Sequence, residues 1–453
     1  MFRASLSLFF LYTGIVFGQV TVEASHSSAA GNSGPVQNSQ AAPQADAKSA
    51  QGTTNGTISR IGLDQAIALA MANSPAIKAT RTQIQQSQAQ EITAGLRPNP
   101  TLSFDSQFVP LFNPSQFSAD TLNTLQQFDL GVGYLFERGK KRQRRLDAAR
   151  DQTAVTSSQV TDAERALIFN VSQQFVNALL ANSNLQFAQE ALKSFQQTVD
   201  ISAERYKAGD ISEGDFLKIK LQMLQFQTDV TSAQVAKVQA LGSLRQLIGY
   251  SSVPRNYDVA GDLDYHPLTA SVDDLQALAM RTRPDLRAAQ QGVTAAKSQI
   301  ALAKADAKQD LSTSFNFSHV SGSSTGSFFF SIPLPFFNRN KGEIARTQFA
   351  LTQANLTAKA TEETALTDVS NAYEVTHTSQ EVVMLYISGY LKQSQESRDI
   401  SEYAYKAGAA ALLDFLDAER SYRMTQLAYR QALAAYMLSL EQLRQAVGTR
   451  SLP

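Results

Sequence analysis

Two periods alternate along this chain. Leu63, Ile67, Ala70 and Met71 recur at three and four residues ahead of Asn73-Ser74-Pro75, the spacing of a helix face. A second helix is predicted from about Ala76 to Leu96, stopped by Pro98 and Pro100. The period then changes to two. Leu102, Phe104 and Phe108 alternate with Ser103, Asp105 and Gln107. After a polar stretch, Phe128, Leu130, Val132, Tyr134 and Phe136 alternate with Asp129, Gly131, Gly133 and Glu137, with Leu135 as the lapse. This predicts a β-hairpin with one aromatic-rich face, its strands at about 101–109 and 125–137. Such strands suit a tilted bilayer crossing or a half-buried soluble hairpin, and one hairpin alone leaves both open.

A helix of unusual length follows, from about Lys140 to Lys207, on the order of 100 Å at 1.5 Å per residue. Leu185, Ala188, Leu192, Phe195 and Val199 hold a strict three-four spacing. After a turn, Ile219, Met223, Phe226, Val230, Ala233, Ala240, Leu244 and Leu247 continue it, with Lys237 as the lapse. A sustained heptad predicts coiled-coil packing of neighbouring helices.

The turn itself, Tyr206-Lys207-Ala208-Gly209, recurs 199 positions later as Tyr405-Lys406-Ala407-Gly408. The whole programme recurs with it. Arg283-Pro284-Asp285-Leu286 stands where Ser74-Pro75-Ala76-Ile77 stood, and strands are predicted at about 310–320 and 326–337. A helix from about Gly342 to Lys406 and a last one to Val447 complete the copy. The chain therefore reads as two repeats, 58–249 and 272–449, joined by a linker at 250–271. Pro333 and Pro335 fall inside the last strand and mark its bend into the next helix. Two amphipathic hairpins set at the same place between long helices are not explained by a soluble bundle. Four strands cannot close a barrel, but three chains supply about twelve.

Composition narrows the function. Lys plus Arg equals Asp plus Glu at 40 each, so no global field favours nucleic acid. There is no cysteine for disulfides, thiolate metal sites or lipid attachment. Residues 1–18 carry Arg3, an apolar run and Val16-Phe17-Gly18, the pattern of a secretory signal peptide. Residues 19–57 have the composition of a disordered linker. The basic run Arg138 to Arg145 opens a helix directly after an expected membrane strand, which favours a solvated helix start near lipid headgroups over nucleic-acid contact. His26, His266, His319 and His377 are scattered, so neither a metal site nor a cofactor is expected. No residue constellation supports an enzyme.

The segment Ile61-Gly62-Leu63-Asp64-Gln65-Ala66-Ile67-Ala68-Leu69-Ala70 with Asn73-Ser74-Pro75 resembles the opening of the TolC-like outer-membrane efflux family. So do Arg283-Pro284-Asp285-Leu286, the two Tyr-x-x-Gly turns, and Leu412-Leu413-Asp414-Phe415-Leu416-Asp417-Ala418. The resemblance covers about 58–449. Ile332-Pro333-Leu334-Pro335-Phe336-Phe337-Asn338-Arg339-Asn340-Lys341-Gly342 is similar to the CzcC-like heavy-metal branch served by RND transporters.

The resemblance implies a mainly α fold with four membrane β-strands, trimerising into an α-helical barrel and a twelve-stranded β-barrel. It implies an outer-membrane exit duct with a long periplasmic extension, working with a periplasmic adaptor protein and an inner-membrane transporter of the RND type. By the same mapping Tyr206, Gly209 and Gly408 lie at the periplasmic tip, where adaptors dock. Asp414 and Asp417 fall on an acidic pore constriction, and Asp215 and Tyr405 on a closed-state contact. Ala410 stands where the resemblance implies a basic residue in some members, a departure that puts one closed-state latch in question. Ser212 with Asp215 reads as a capping-box-like helix start, and the alanines 409–411 offer no such cap, so the two turns are expected to differ in rigidity. Two other readings stay open: the outer-membrane component of type I protein secretion, and a soluble periplasmic coiled-coil scaffold.

Overall fold

Proline starts the second helix of each repeat, and a β-hairpin interrupts each repeat at the same place. In the computed structural model the described residues are 59–109, 112–113, 115, 118–120 and 126–452. They fall in one unit, residues 57–453. The expected signal peptide (1–18), all of the linker (19–57), residue 58 of the first repeat and residue 125 of the expected second strand lie outside the described residues.

The first repeat runs Ser59–Ile61 (β1), Leu63–Asn73 (α1), Pro75–Gly95 (α2), Thr101–Gln107 (β2), Gln127–Phe136 (β3), Lys141–Ala208 (α3) and Glu213–Ile248 (α4). Tyr257–Val259 (β4) follows and pairs parallel with β1. The second repeat runs Val272–Thr282 (α5), Pro284–Asp306 (α6), Leu311–Val320 (β5), Ser323–Ser331 (β6), Lys341–Leu385 (α7), Leu391–Lys406 (α8) and Leu412–Val447 (α9). Pro75 and Pro284 each occupy the first turn of a helix, where the missing N–H has no intrahelical partner to lose.

Two expectations need correction. The last strand ends at Ser331, not near 337, because Pro333 and Pro335 bring no N–H to a ladder. The helix expected from Gly342 to Lys406 is broken by a π turn at Tyr386–Tyr390, inside which Gly389 leaves helical geometry. α3, by contrast, runs 68 residues without a break.

The four longer strands form one antiparallel sheet in the order β2-β3-β5-β6, so the two hairpins join through β3 and β5. The register gathers the apolar residues. Leu102 faces Val132, Val132 faces Phe315, and Phe315 faces Phe328. That face is open: Phe104 is 68% exposed, and Phe328 and Phe330 are each 73% exposed. The other face carries Ser103, Asp129, Asn316 and Ser318. A Cβ on Gly131 would stand 2.5 Å from both Asn316 Oδ1 and Ser103 Oγ, so glycine there lets the polar face close over the backbone. Among the described residues β2 and β6 are both unpaired edges.

The main core lies around the β1–β4 pair, where Ile61, Ala66, Val171, Phe175, Leu244, Ile248 and Tyr257 pack together. Lys237, the lapse in the heptad, turns its ammonium to Asn182 Oδ1 and Asp258 Oδ2, each 2.7 Å away. The apolar stripe is interrupted where the helix meets the inter-repeat segment, and the charge is neutralised there. Buried Arg283 ties the end of the chain to the second repeat. It bonds Asp285 (2.6 Å), Asp368 (3.1 Å) and the carbonyl of Ala446 (3.0 Å).

Candidate functional site

Both tips end their helices in the same way. Gly209 has φ +82 and Gly408 φ +75, a region closed to most side chains. At the first tip Gly209 N–H bonds Tyr206 O (3.1 Å) and Asp210 N–H bonds Arg205 O (2.9 Å). At the second, Gly408 N–H bonds Tyr405 O (3.0 Å) and Ala409 N–H bonds Ala404 O (2.8 Å). These are two Schellman motifs, satisfying the last carbonyls of α3 and α8. Each tip also stacks its tyrosine on a phenylalanine ten residues on. Tyr206 lies 5.1 Å from Phe216 at 11°, and Tyr405 lies 5.5 Å from Phe415 at 8°.

The surroundings of the two stacks differ. Tyr206 is 39% exposed, whereas Tyr405 is 4% and Phe415 1% exposed. The second stack continues onto Phe195 of α3, 6.4 Å from Phe415, and from there onto Phe226 of α4 at 4.4 Å. Arg205 bonds Tyr405 O (2.8 Å) and covers its ring, and the Tyr405 hydroxyl lies 3.4 Å from Ser202 Oγ. Arg423 of α9 crosses to Asp229 and sits 4.2 Å over the Phe226 ring. The second hairpin is thus docked onto the first through an aromatic stack held by arginines.

The entry to the next helix differs as well. Ser212 caps α4: its Oγ accepts from Asp215 N–H (3.1 Å) and donates to the Asp215 carboxylate (2.9 Å). Lys218 pairs with the same carboxylate at 3.2 Å. The Ser212 hydroxyl first, and then Lys218, hold the Asp215 carboxyl below the usual range. At the second tip Ala411 has almost the same backbone, φ −72 and ψ 152, but no side-chain cap. The first helical bond there, Phe415 N–H to Ala411 O, stretches to 3.5 Å, against 3.1 Å from Phe216 to Ser212.

The repeat makes one substitution of chemical consequence. At the 199-residue offset, Ser212, Asp215 and Lys218 become Ala411, Asp414 and Asp417. A capped and neutralised carboxylate is replaced by two exposed ones on one helix face. Among the described residues neither Asp414 nor Asp417 has a hydrogen bond or ion pair. Asp215 and Tyr405 are not brought together within the chain, since the side-chain partners of Asp215 are Ser212 and Lys218.

Residues that sequence reasoning passed over complete the site. Arg205, Phe226 and Arg423 bridge the hairpins. Glu419 is buried five residues beyond Asp414, and burial pushes its carboxyl up, opposed by Arg398 and Arg423. Arg398 itself pairs with Glu402 (3.1 Å) and Asp399 (3.0 Å). Phe216 and Phe415 were legible as a pair from the repeat offset. The arginines carry no local signal.

A family model described as "Outer membrane efflux protein" matches residues 66–250 and 275–449. The chain is 25% identical over 324 residues to "Probable outer membrane lipoprotein SilC" of Salmonella typhimurium, covering 67% of this chain and 68% of that protein. It is 26% identical over 286 residues to "Cation efflux system protein CusC" of Escherichia coli (strain K12), covering 58% of this chain and 61% of that protein, so the chain spans less than two thirds of that relative. It is 25% identical over 386 residues to "Pyoverdine export outer membrane protein OpmQ" of Pseudomonas putida, covering 80% and 81%. A crystal structure of CusC matches the fold with TM-score 0.70 at 20% identity, covering 85% of this chain and 92% of that one. The open state of the Neisseria gonorrhoeae MtrE outer membrane channel matches with TM-score 0.70 at 20% identity, covering 85% and 89%.

Proposed function

The chain belongs to the outer membrane efflux protein family, and from that membership we propose that it is the outer-membrane exit duct of a tripartite efflux pump. It acts as a passive conduit and performs no covalent chemistry. The observation that carries this reading is the sheet. One face is lined with exposed phenylalanines, both edges are open among the described residues, and each of the four strands joins a helix at the same end of the sheet. A surface of that kind suits lipid, and open edges suit pairing with further copies.

Three copies give about twelve strands, a size at which membrane barrels close. The helices support the same assembly. Leu217, Leu221, Leu224, Val235 and Val238 lie exposed along α4 at coiled-coil spacing, a seam left uncovered by the described residues of one chain. The homotrimer places its β-barrel in the outer membrane and its helices in the periplasm. There the tips at Tyr206, Gly209 and Gly408 meet the periplasmic adaptor, and through it an RND-type inner-membrane transporter. This reading leaves no place for a soluble scaffold. Export of small species, rather than type I protein secretion, is favoured by relatives named for cation efflux and pyoverdine export.

The gate is proposed at the second tip. Asp414 and Asp417, unpaired in one chain, become two stacked rings of three carboxylates in the trimer, selecting cations and narrowing the pore. Tyr405 holds the closed arrangement through its dock on the first hairpin, and Asp215 contributes at the neighbouring tip. Planar-bilayer recording of the full protein tests this. Asp414→Ala with Asp417→Ala is expected to raise leak and lower cation preference, while the lipid face stays intact. Unchanged conductance and selectivity would remove both residues from the pore. Failure of the native protein to insert at all would remove the duct itself.

A further inference from the structure

We propose that the groove at the foot of β3 is a binding site for an anionic phospholipid. The groove, about 500 Å³, is lined by Arg97, Tyr134, Phe136, Glu137, Lys140 and Arg142, with Arg138 on the adjoining surface. Its volume lies in the range that holds a medium-sized ligand.

The charge pattern points to an anion from outside the chain. Lys141 is paired with Asp310 at 2.7 Å, Arg144 with Asp147 at 3.7 Å, and Arg145 with Glu137. Arg97, Arg138, Lys140 and Arg142 are all exposed, and the charged ends of their side chains have no acidic partner among the described residues, although the Arg138 backbone N–H donates to Asp310 (2.9 Å). Three of these four stand at the start of a 68-residue helix, whose own dipole is positive there. Side-chain cations left unpaired beside the positive end of the dipole gain from an external negative charge.

The apolar lining points to a lipid in particular. Tyr134 and Phe136 are the last outward residues of β3 and meet edge to face at 4.8 Å. The cations begin two residues beyond Phe136. Aromatic surface and phosphate-binding side chains therefore adjoin in the order of a phospholipid, acyl chain along the strand and phosphate at the guanidinium groups. A free phosphate would use the cations and leave the rings unused. The site rests on the outer-membrane reading, since it needs a leaflet at the level of the strand ends.

Native mass spectrometry of the full-length protein in neutral detergent tests it, with phosphatidylglycerol and phosphatidylcholine added in equal amounts. The native protein is expected to retain phosphatidylglycerol roughly tenfold over phosphatidylcholine, two guanidinium contacts sufficing for that ratio. Arg97→Gln with Arg142→Gln should bring the ratio near one, while Arg144→Gln, which removes a paired cation, should leave it. Equal retention of the two lipids by the native protein, or an undiminished ratio in the double variant, overturns the proposal. So does displacement of the lipid by inorganic phosphate at equal concentration, which reassigns the groove to free phosphate. Fractionation of the same cells separates the two readings. Native protein in the outer membrane without a lipid preference sinks this site alone, and its absence from the membrane sinks the duct as well.

Discussion

The two tips share a turn and differ in what supports it. Each has a left-handed glycine, a Schellman motif and a tyrosine stacked on a phenylalanine. The first tip holds itself together: Ser212, Asp215 and Lys218 form a local network, and its Tyr206 remains partly in solvent. The second has no cap at Ala411 and is held by what it leans on, the Phe195–Phe226 stack and the arginines 205 and 423. Local sequence made the turns alike, and tertiary cover made them unequal. A tip that depends on a neighbour moves when the contact is released, and the π break at Tyr386–Tyr390 gives the second hairpin a second point of give. The second tip is therefore the one expected to swing on opening.

The largest test of that asymmetry exchanges equivalent phenylalanines for alanine. Phe415→Ala removes a fully covered ring and should cost about 3–5 kcal/mol of local stability, read from hydrogen exchange across α8 and α9. Phe216→Ala, at the same place in the first tip, should cost about 1 kcal/mol or less, because its ring is already partly solvated. Equal losses at the two tips would dissolve the distinction. Next in size is Arg423→Ala. It breaks a part-buried pair with Asp229 and uncovers Phe226, and should loosen the second hairpin by about 1–3 kcal/mol with a matching rise in resting conductance. A loosened hairpin with unchanged conductance would separate the dock from the gate.

Much of the architecture was legible because it rests on period and on glycine and proline chemistry. The mainly helical fold with its small strand part, the strand faces and the turns follow from spacing that any reader of the chain can count. The misses have physical reasons. The apolar alternation Phe328, Phe330, Ile332, Leu334 and Phe336 extends the last strand to 337, but the ladder ends at Ser331, ahead of Pro333. Gly389 inside an apolar-periodic helix was the available sign of the π break, since glycine is costly in a helix interior. The acidic pair was read from resemblance alone, although the 199-residue offset already shows Lys218 replaced by Asp417. The arginine bridges were not readable at all, because Arg205 and Phe195 meet the second hairpin only after the repeats fold against each other.

The smallest expected effect sharpens the comparison most directly, because it moves the cap from one tip to the other. Ser212→Ala should destabilise the first turn of α4 by about 1 kcal/mol. Ala411→Ser should return up to about the same amount at α9, since the two positions share nearly the same backbone. The new hydroxyl would stand three residues before Asp414, as Ser212 stands before Asp215, and would draw that carboxylate into the cap. Cation preference in planar bilayers should then fall part of the way toward that of Asp414→Ala. The pH dependence gives an independent check. The Asp215 carboxyl is held below its ordinary value of 3.8, so the stability it adds is fully present above that pH and is lost as pH falls through the depressed value. Solvent screening keeps this contribution small, because the side chain is 40% exposed. With Ala411→Ser the second tip should acquire an acid-side loss of the same kind. If the serine leaves both cation preference and acid response at α9 unchanged, the difference between the tips does not reside in the cap, and the aromatic dock alone accounts for it.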